Sequence, residues 1–341
     1  VDRDFAFLQT APGRVFVGWG PFEQLPFRRP DRPAFFISDF FLDEPRPWFH
    51  PAKWEEMDFD RFADSRETSS QIEWRPAGRQ AFESLFASAQ NGIARGEFKK
   101  IVPVVFEHGR FIKRGDLLAP LAGAPAGVWS YGFSFGQTGI AGATPEILFQ
   151  SHGRGYRTMA LAGTRPLSRA HELLTNQKEL REHRFVVDDI ARRLAPFGNV
   201  EIGALGIMNL PGLAHLITPI FFMESGPERM SFAEMIRRLH PTAALGVWPR
   251  NESGDRWLRE ADRGVQRRFF GAPFGLEREN HFAIALVAIR NLEWEGDWLR
   301  IGAGAGVIAE SSLEAELEEL QHKRDQVKAL FALRARAEAW T

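Results

Sequence analysis

The chain has 341 residues, 44% of them hydrophobic and 26% charged, with a formal net charge of −1. That profile suits a globular protein with room for one large or two medium domains, and it offers no electrostatic footprint for nucleic acid or an anionic membrane. Cysteine is absent, which excludes disulfides, thiol nucleophiles and thiolate metal sites and leaves carboxylates and a hard ion such as Mg²⁺ as the favoured metal chemistry.

Residues 1–75 mix short apolar runs (FAFL, RVFVGW, PAFFISDFF) with Pro, Arg and Asp clusters, a pattern that predicts strands and irregular loops. The opening VDRDFAFLQT has neither a charged n-region nor a long apolar core, and no run of about 18 apolar residues occurs, so a cytoplasmic protein without a membrane span is expected. A helix is predicted over 78–95, closed by Gly96, followed by strands at 100–107, 127–135 and 146–150. The periodicity then predicts a helix over about 170–195, a strand-and-loop region containing HLITPIFFM, and a short helix over 232–239. Two strands joined by a turn, 282–296 and 298–308, precede a last helix over about 312–338 with Leu313, Leu317, Leu320, Val327 and Phe331 on one face. No repeat, low-complexity tract or long linker divides the chain, so one domain over 1–341 is expected. Many strands with few helices argue for an α+β fold with largely antiparallel sheets.

Two helices carry charge where apolar packing is expected. In KELREHRFVVDDI (178–190), Glu179 and Glu182 lie on the stripe that continues through Val186 and Ile190. A buried Glu is costly unless it is paired, hydrogen-bonded or bound to a metal. The last helix repeats the oddity, with Glu316, Glu319 and Lys323 along the edge of its apolar face. On that helix alone, a solvated flank with an i,i+4 Glu–Lys pair is the simpler reading. Two such helices face to face would bring together four carboxylates, which repel unless a divalent cation lies between them.

Eight short motifs follow in order: GATPEILF (142–149), LAGTRP (161–166), KELREHRFVV (178–187), HLITP (215–219), HPTAALG (240–246), RRFFGAPFG (267–275), AIRN (288–291) and GAGAGVIAESSLEAELEELQHK (302–323). Over about residues 75–335 the chain resembles the chorismate-utilising enzymes: anthranilate synthase component I, aminodeoxychorismate synthase, isochorismate synthase and salicylate synthase. Residues 1–75 match poorly and read as a divergent part of the same domain. The resemblance implies the aminodeoxychorismate synthase fold, with two large, mostly antiparallel sheets packed together and helices outside. It also implies chorismate as substrate and Mg²⁺ as cofactor.

By the same resemblance, Glu182 and Glu319 match direct Mg²⁺ ligands, while Glu179 and Glu316 match a second pair that holds metal-bound water. Arg290 and Lys323 match cations that meet substrate carboxylates. Gly304, Ala305 and Gly306 match a loop whose backbone N–H groups approach a carboxylate, where small residues permit that approach. Gly163 and Thr164 match a substrate-contacting pair, and His240 a histidine near the reacting ring. Without the family, His240 reads as a structural residue of a His-Pro-Thr turn, and GAGAG lacks the Gly-Lys-Ser/Thr ending of a nucleotide loop.

Within the family, Lys100 falls where isochorismate and salicylate synthases keep a lysine base that activates water. Lys99 would take its place if the alignment slipped by one residue. Glu146 matches the general acid that protonates the departing 4-hydroxyl. Ala162 stands where aminodeoxychorismate synthases carry a nucleophilic lysine, and EHRFVVDDI is closer to the isochorismate synthase run than to the anthranilate one. Ala244-Leu245 is shared with isochorismate synthases. The chain departs from the family at Glu310-Ser311-Ser312-Leu313, usually Asp-Ser-Asp-Pro, and at Gly246-Val247, usually Gly-Gly. The expected function is that of an isochorismate synthase in menaquinone or siderophore assembly, acting as a monomer without a glutaminase subunit. The alternatives are a salicylate synthase, an anthranilate synthase component I and a non-catalytic chorismate binder.

Overall fold

The computed structural model describes residues 4–63, 69–75, 78–226, 229–279 and 282–335. Its helices are α1 (Phe59–Phe62), α2 (Arg79–Ala94), α3 (Ala119–Ala122), α4 (Gln177–Leu194), α5 (Phe232–Leu239), α6 (Glu252–Val265) and α7 (Leu313–Leu330). None is long and apolar enough to cross a membrane.

Among the described residues, eighteen strands join into one hydrogen-bonded ladder and three short strands form a second sheet. One half of the ladder starts at Leu213–Glu224, whose outer edge carries Gly198–Ile202 and Gly206–Asn209. It then passes through Gly155–Pro166, Ile147–His152, Ala283–Val287, Pro273–Glu277 and Ala34–Ile37 to Trp48–Asp58. The other half runs from Arg14–Leu25 through Phe5–Ala11, Trp129–Phe135, Thr138–Thr144, Asn291–Glu295, Trp298–Gly304 and Val104–Lys113 to Ser70–Trp74 and Leu333–Ala335. Every pairing is antiparallel except that of the last two strands.

The expectation of two separate large sheets is corrected in one respect. The halves do pack on each other: Phe35, Ile37, Ile147, Phe274 and Leu286 of one meet Leu8, Phe16, Tyr131, Phe133 and Ile140 of the other. They are nevertheless one ladder, because Arg14–Leu25 and Trp48–Asp58 pair along most of their length and carry the hydrogen bonding across. Strands of 12 and 11 residues are long enough to belong to both layers.

Helices cover the outer faces. Val186, Val187, Ile190 and Leu194 of α4 pack with Phe149, Ala160, Ile220 and Phe222 of the first half. Phe82 of α2 and Leu320 of α7 pack on Val105, Ala303 and Ala305 of the second. Each fully buried Val, Ile or Leu contributes about 1.5–3 kcal/mol. On α4 this apolar anchor offsets the cost of carrying Glu179 into the interior.

Several predicted elements divide where the backbone demands it. The strand expected at 100–107 becomes Lys100–Ile101 and Val104–Lys113, because Pro103 has no N–H for a ladder. The strand expected at 282–296 breaks into Ala283–Val287 and Asn291–Glu295 at Arg290, whose φ is +55°. The helix expected from about 170 is a 3₁₀ segment over Leu167–Leu174, and α4 begins only after the Asn176 cap. The last helix stops at Leu330, and Leu333–Ala335 joins the sheet beside Ser70–Trp74; the end of the predicted helix, from 336, lies outside the described residues. Helix α6 carries buried Leu258 and was not expected from the sequence.

Candidate active site

The three-stranded sheet is the nucleus of the site. Lys100–Ile101 is its middle strand, with Val247–Trp248 after HPTAALG on one side and Val307–Ile308 after GAGAG on the other. Being central fixes which lysine points inward: Lys100 is completely buried and Lys99 is exposed. The Lys100 ammonium lies 3.1 Å from Glu182 Oε1.

Gly306 makes that approach possible. A Cβ there would stand 2.1 Å from Glu182 Oε1 and 2.9 Å from Lys100 Cε, closer than any side chain tolerates. The carboxylate that needs the missing side chain is therefore the protein's own. The expectation that this loop turns free N–H groups toward a ligand is corrected at Ala305, whose N–H donates to the Pro103 carbonyl. The Gly304 carbonyl accepts from Lys323 Nζ at 2.7 Å.

Helix α4 presents its carboxylates from its first turns. The Asn176 side chain caps the helix by accepting from the Glu179 N–H. Glu179 is fully buried; its Oε2 accepts from the Thr164 N–H at 2.9 Å and its Oε1 lies 3.1 Å from Arg165. Gly163 explains the first contact. Its φ of +77° coincides with a register shift between Ala162 and Thr164 in the pairing of their strand with Leu213–Glu224, and the resulting bulge turns the Thr164 amide out of the ladder toward Glu179. His183 pins the helix down through the Ala162 carbonyl and the Thr218 hydroxyl.

Helix α7 supplies the opposing wall. Glu316 is buried more deeply than Leu313 or Leu317 on the same helix, so the solvated-flank reading does not hold there. Glu319 does make the i,i+4 pair with Lys323, at 2.5 Å. Both Glu316 carboxylate oxygens are buried.

The electrostatics separate the two helices. Burial works to raise the Glu182 carboxyl, but the Lys100 and Lys178 ammonium groups outweigh it and hold it at about 2. Burial pushes Glu316 up to about 7 against the pull of Lys178, with Glu319 and Glu182 adding to the rise. Glu179 is raised by burial and by Glu182.

Glu146, Thr164, His215, Arg290 and Lys323 share a cavity of about 50 Å³ with Glu182 and Glu319. Glu146 is almost fully buried, and desolvation pushes its carboxyl up to about 7 against the pull of Lys100, Arg290 and Lys323. Arg290 sits on the left-handed residue between two strands, a conformation that costs a non-glycine residue energy and aims its side chain into the cavity wall. Its Nε donates to Gln326 at 3.0 Å, and a guanidinium nitrogen lies 3.5 Å from His215. A larger, mostly apolar chamber of about 680 Å³ adjoins this cavity and shares Pro145 and Arg290 with it.

The structure thus gathers Glu146, Gly163, Thr164, Glu182, Arg290, Gly304, Gly306, Glu319 and Lys323 around one cavity, with Lys100, Glu179 and Glu316 directly behind its wall. His240 is the correction. It does not line the cavity; its ring packs on Phe40 and its Nε2 bonds the Phe40 carbonyl at 2.7 Å. His215, whose Nδ1 lies 3.0 Å from the Thr164 hydroxyl, is the histidine at the site. It stands within the quoted HLITP motif, where nothing in the sequence marks its ring as buried beside Arg290.

Lys178 was likewise not anticipated. Its ammonium stands among the carboxylates, 3.0 Å from Glu316, 3.2 Å from Glu182 and 3.6 Å from Glu179. Among the described residues, no group of three or more His, Asp or Glu is arranged to hold a metal ion.

The cavity thus brings Glu146, Glu182 and Glu319 together with the cations Arg290 and Lys323. The chain belongs to the chorismate binding enzyme family, whose model matches residues 50–331. It is 28% identical to anthranilate synthase component 1 of Methanothermobacter thermautotrophicus over 72% of this chain and 55% of that one. It is 34% identical to the isochorismate synthase DhbC of Bacillus subtilis over 56% of this chain and 50% of that one. The chain spans about half the length of these curated relatives. In fold it is similar to the menaquinone-specific isochorismate synthase MenF of Escherichia coli, with a TM-score of 0.82 at 18% identity, covering 96% of this chain and 88% of that one.

Proposed function

We propose that this chain is a Mg²⁺-dependent isochorismate synthase, converting chorismate to isochorismate by attack of water at C2 with loss of the C4 hydroxyl. The observation that carries the reading is the pairing of a fully buried lysine, Lys100, with a buried carboxyl, Glu146, that keeps its proton near neutrality. Lys100 is the base: it takes a proton from water, for which its ammonium must first lose one and part from Glu182. Glu146 is the acid: it gives its proton to the departing 4-hydroxyl. Arg290 and Lys323 meet the substrate carboxylates as charge-assisted donors, and Gly163 with Thr164 contacts the substrate.

The chain's own residues suit a hard divalent cation. The donor set is all oxygen, and both Glu316 oxygens are buried, with Oε1 facing a cation at 3.0 Å. Glu182 and Glu319 would hold Mg²⁺ directly, and Glu179 and Glu316 through water. Bound there, it neutralises the carboxylates and supplies positive charge for the ring carboxylate of chorismate.

The curated relatives include anthranilate synthases as well as isochorismate synthases, which favours anthranilate formation as the second reading. One assay separates them: chorismate with Mg²⁺, with and without ammonia, resolved by chromatography. Isochorismate in both reactions is expected. Anthranilate appearing only with ammonia would overturn the proposal, and release of pyruvate without added lyase would identify a salicylate synthase instead.

A further inference from the structure

The carboxylate cluster is occupied by the protein itself. Lys178 reaches Glu316, Glu182 and Glu179 at 3.0, 3.2 and 3.6 Å, and it is the only ion-pair partner of Glu316 among the described residues. Lys178 is the second residue of α4, where the exposed N–H groups of the first turn disfavour a cation. The helix alone gives no reason for a lysine there; the three carboxylates do. Its four-carbon stem is flexible and its side chain is 19% exposed, so the ammonium has a path out to solvent while the carboxylates, held by two packed helices, do not move with it.

We propose that Lys178 is a tethered counter-cation: it holds the four-glutamate cluster together in the metal-free protein and is displaced by Mg²⁺ when the metal enters, thereby setting the metal's apparent affinity. This rests on the reading of the cluster as a Mg²⁺ site. A positioning role is distinct from it, because a lysine needed to orient the carboxylates for the metal would weaken binding when removed, whereas a competitor would strengthen it.

Calorimetric titration of the full chain with MgCl₂ tests the sign. Lys178→Met, which keeps the stem and removes the charge, is expected to bind Mg²⁺ about tenfold more tightly. The same variant should melt at a lower temperature than wild type without metal and show a larger Mg²⁺-induced rise. Unchanged or weaker binding in Lys178→Met, with wild type still binding, would overturn the role of Lys178 and leave the metal site standing. Absence of saturable Mg²⁺ binding in wild type would overturn both.

A second measurement uses the unmodified sequence, in case the variant does not fold. Acetylation by an N-hydroxysuccinimide ester, read by peptide mass spectrometry, should modify Lys178 several-fold faster with saturating Mg²⁺ than with EDTA, while exposed Lys99 changes little. Equal rates for Lys178 in the two conditions would overturn displacement.

Discussion

Helices α4 and α7 each carry a Glu-x-x-Glu pair into the interior, and the protein compensates the two pairs differently. Glu179 and Glu182 on α4 meet groups of the sheets, the Thr164 amide and Arg165 for one and Lys100 for the other, as well as Lys178 of their own helix. Glu316 on α7 faces only the ammonium of Lys178 among the ion pairs described, and Glu319 leans on Lys323 of its own helix. One wall of the site is therefore prearranged against the sheets through Thr164, Arg165 and Lys100, while the other pairs only with Lys178 and Lys323. The difference in proton affinity, about 2 for Glu182 and about 7 for Glu316, is the electrostatic expression of that contrast.

The sharpest way to probe the prearranged wall is through its lysine. Lys100→Met should lower turnover of chorismate about 10³-fold while chorismate affinity, read by titration with substrate, stays within a few-fold. A parallel collapse of affinity would assign Lys100 to binding instead of proton transfer. Next comes the contrast itself, in metal-free melting experiments. Glu182→Gln leaves the buried Lys100 charge without its partner and should cost about 3–5 kcal/mol. Glu316→Gln removes one of several repelling carboxyls and should stay within about 1 kcal/mol of wild type, on the stabilising side. Equal losses in the two variants would erase the distinction drawn here.

Gly306→Ala should cost about 1–3 kcal/mol in stability, because its methyl would displace the Glu182 carboxylate. A crystal structure of that variant should show the Lys100–Glu182 contact opened. The smallest effect is in the pH profile. Desolvation raises the Glu146 carboxyl to about 7, so its acid form is present below that pH and lost above it. The logarithm of turnover should lose one unit of slope per pH unit on passing pH 7, and Glu146→Gln should remove that bend along with most of the rate.

What the sequence disclosed follows from how local each signal is. The four glutamates stood out because charge interrupts an apolar stripe, and helical periodicity alone reveals that. The choice between Lys99 and Lys100 was open by one residue, since it depends on pairing with Trp248 and Ile308 far along the chain. Lys178 was invisible because a lysine in a first helical turn ordinarily faces water. His240 was assigned to the site by resemblance, whereas the bland structural reading of its turn is what the structure bears out; the histidine in the cavity is His215. The antiparallel α+β character was legible from the strand runs. That the two layers form one ladder was not, because nothing in a strand's alternation says that it is long enough to serve both.

The three-stranded sheet also has a consequence for the order in which the protein comes into being. Lys100 belongs to the first third of the chain, but its two strand neighbours are synthesised about 150 and about 200 residues later. Until Ile308 has emerged, the lysine has no sheet to sit in, and until α7 follows, the glutamates of α4 have no opposing wall. The candidate site is therefore assembled only when α7 has folded onto the rest.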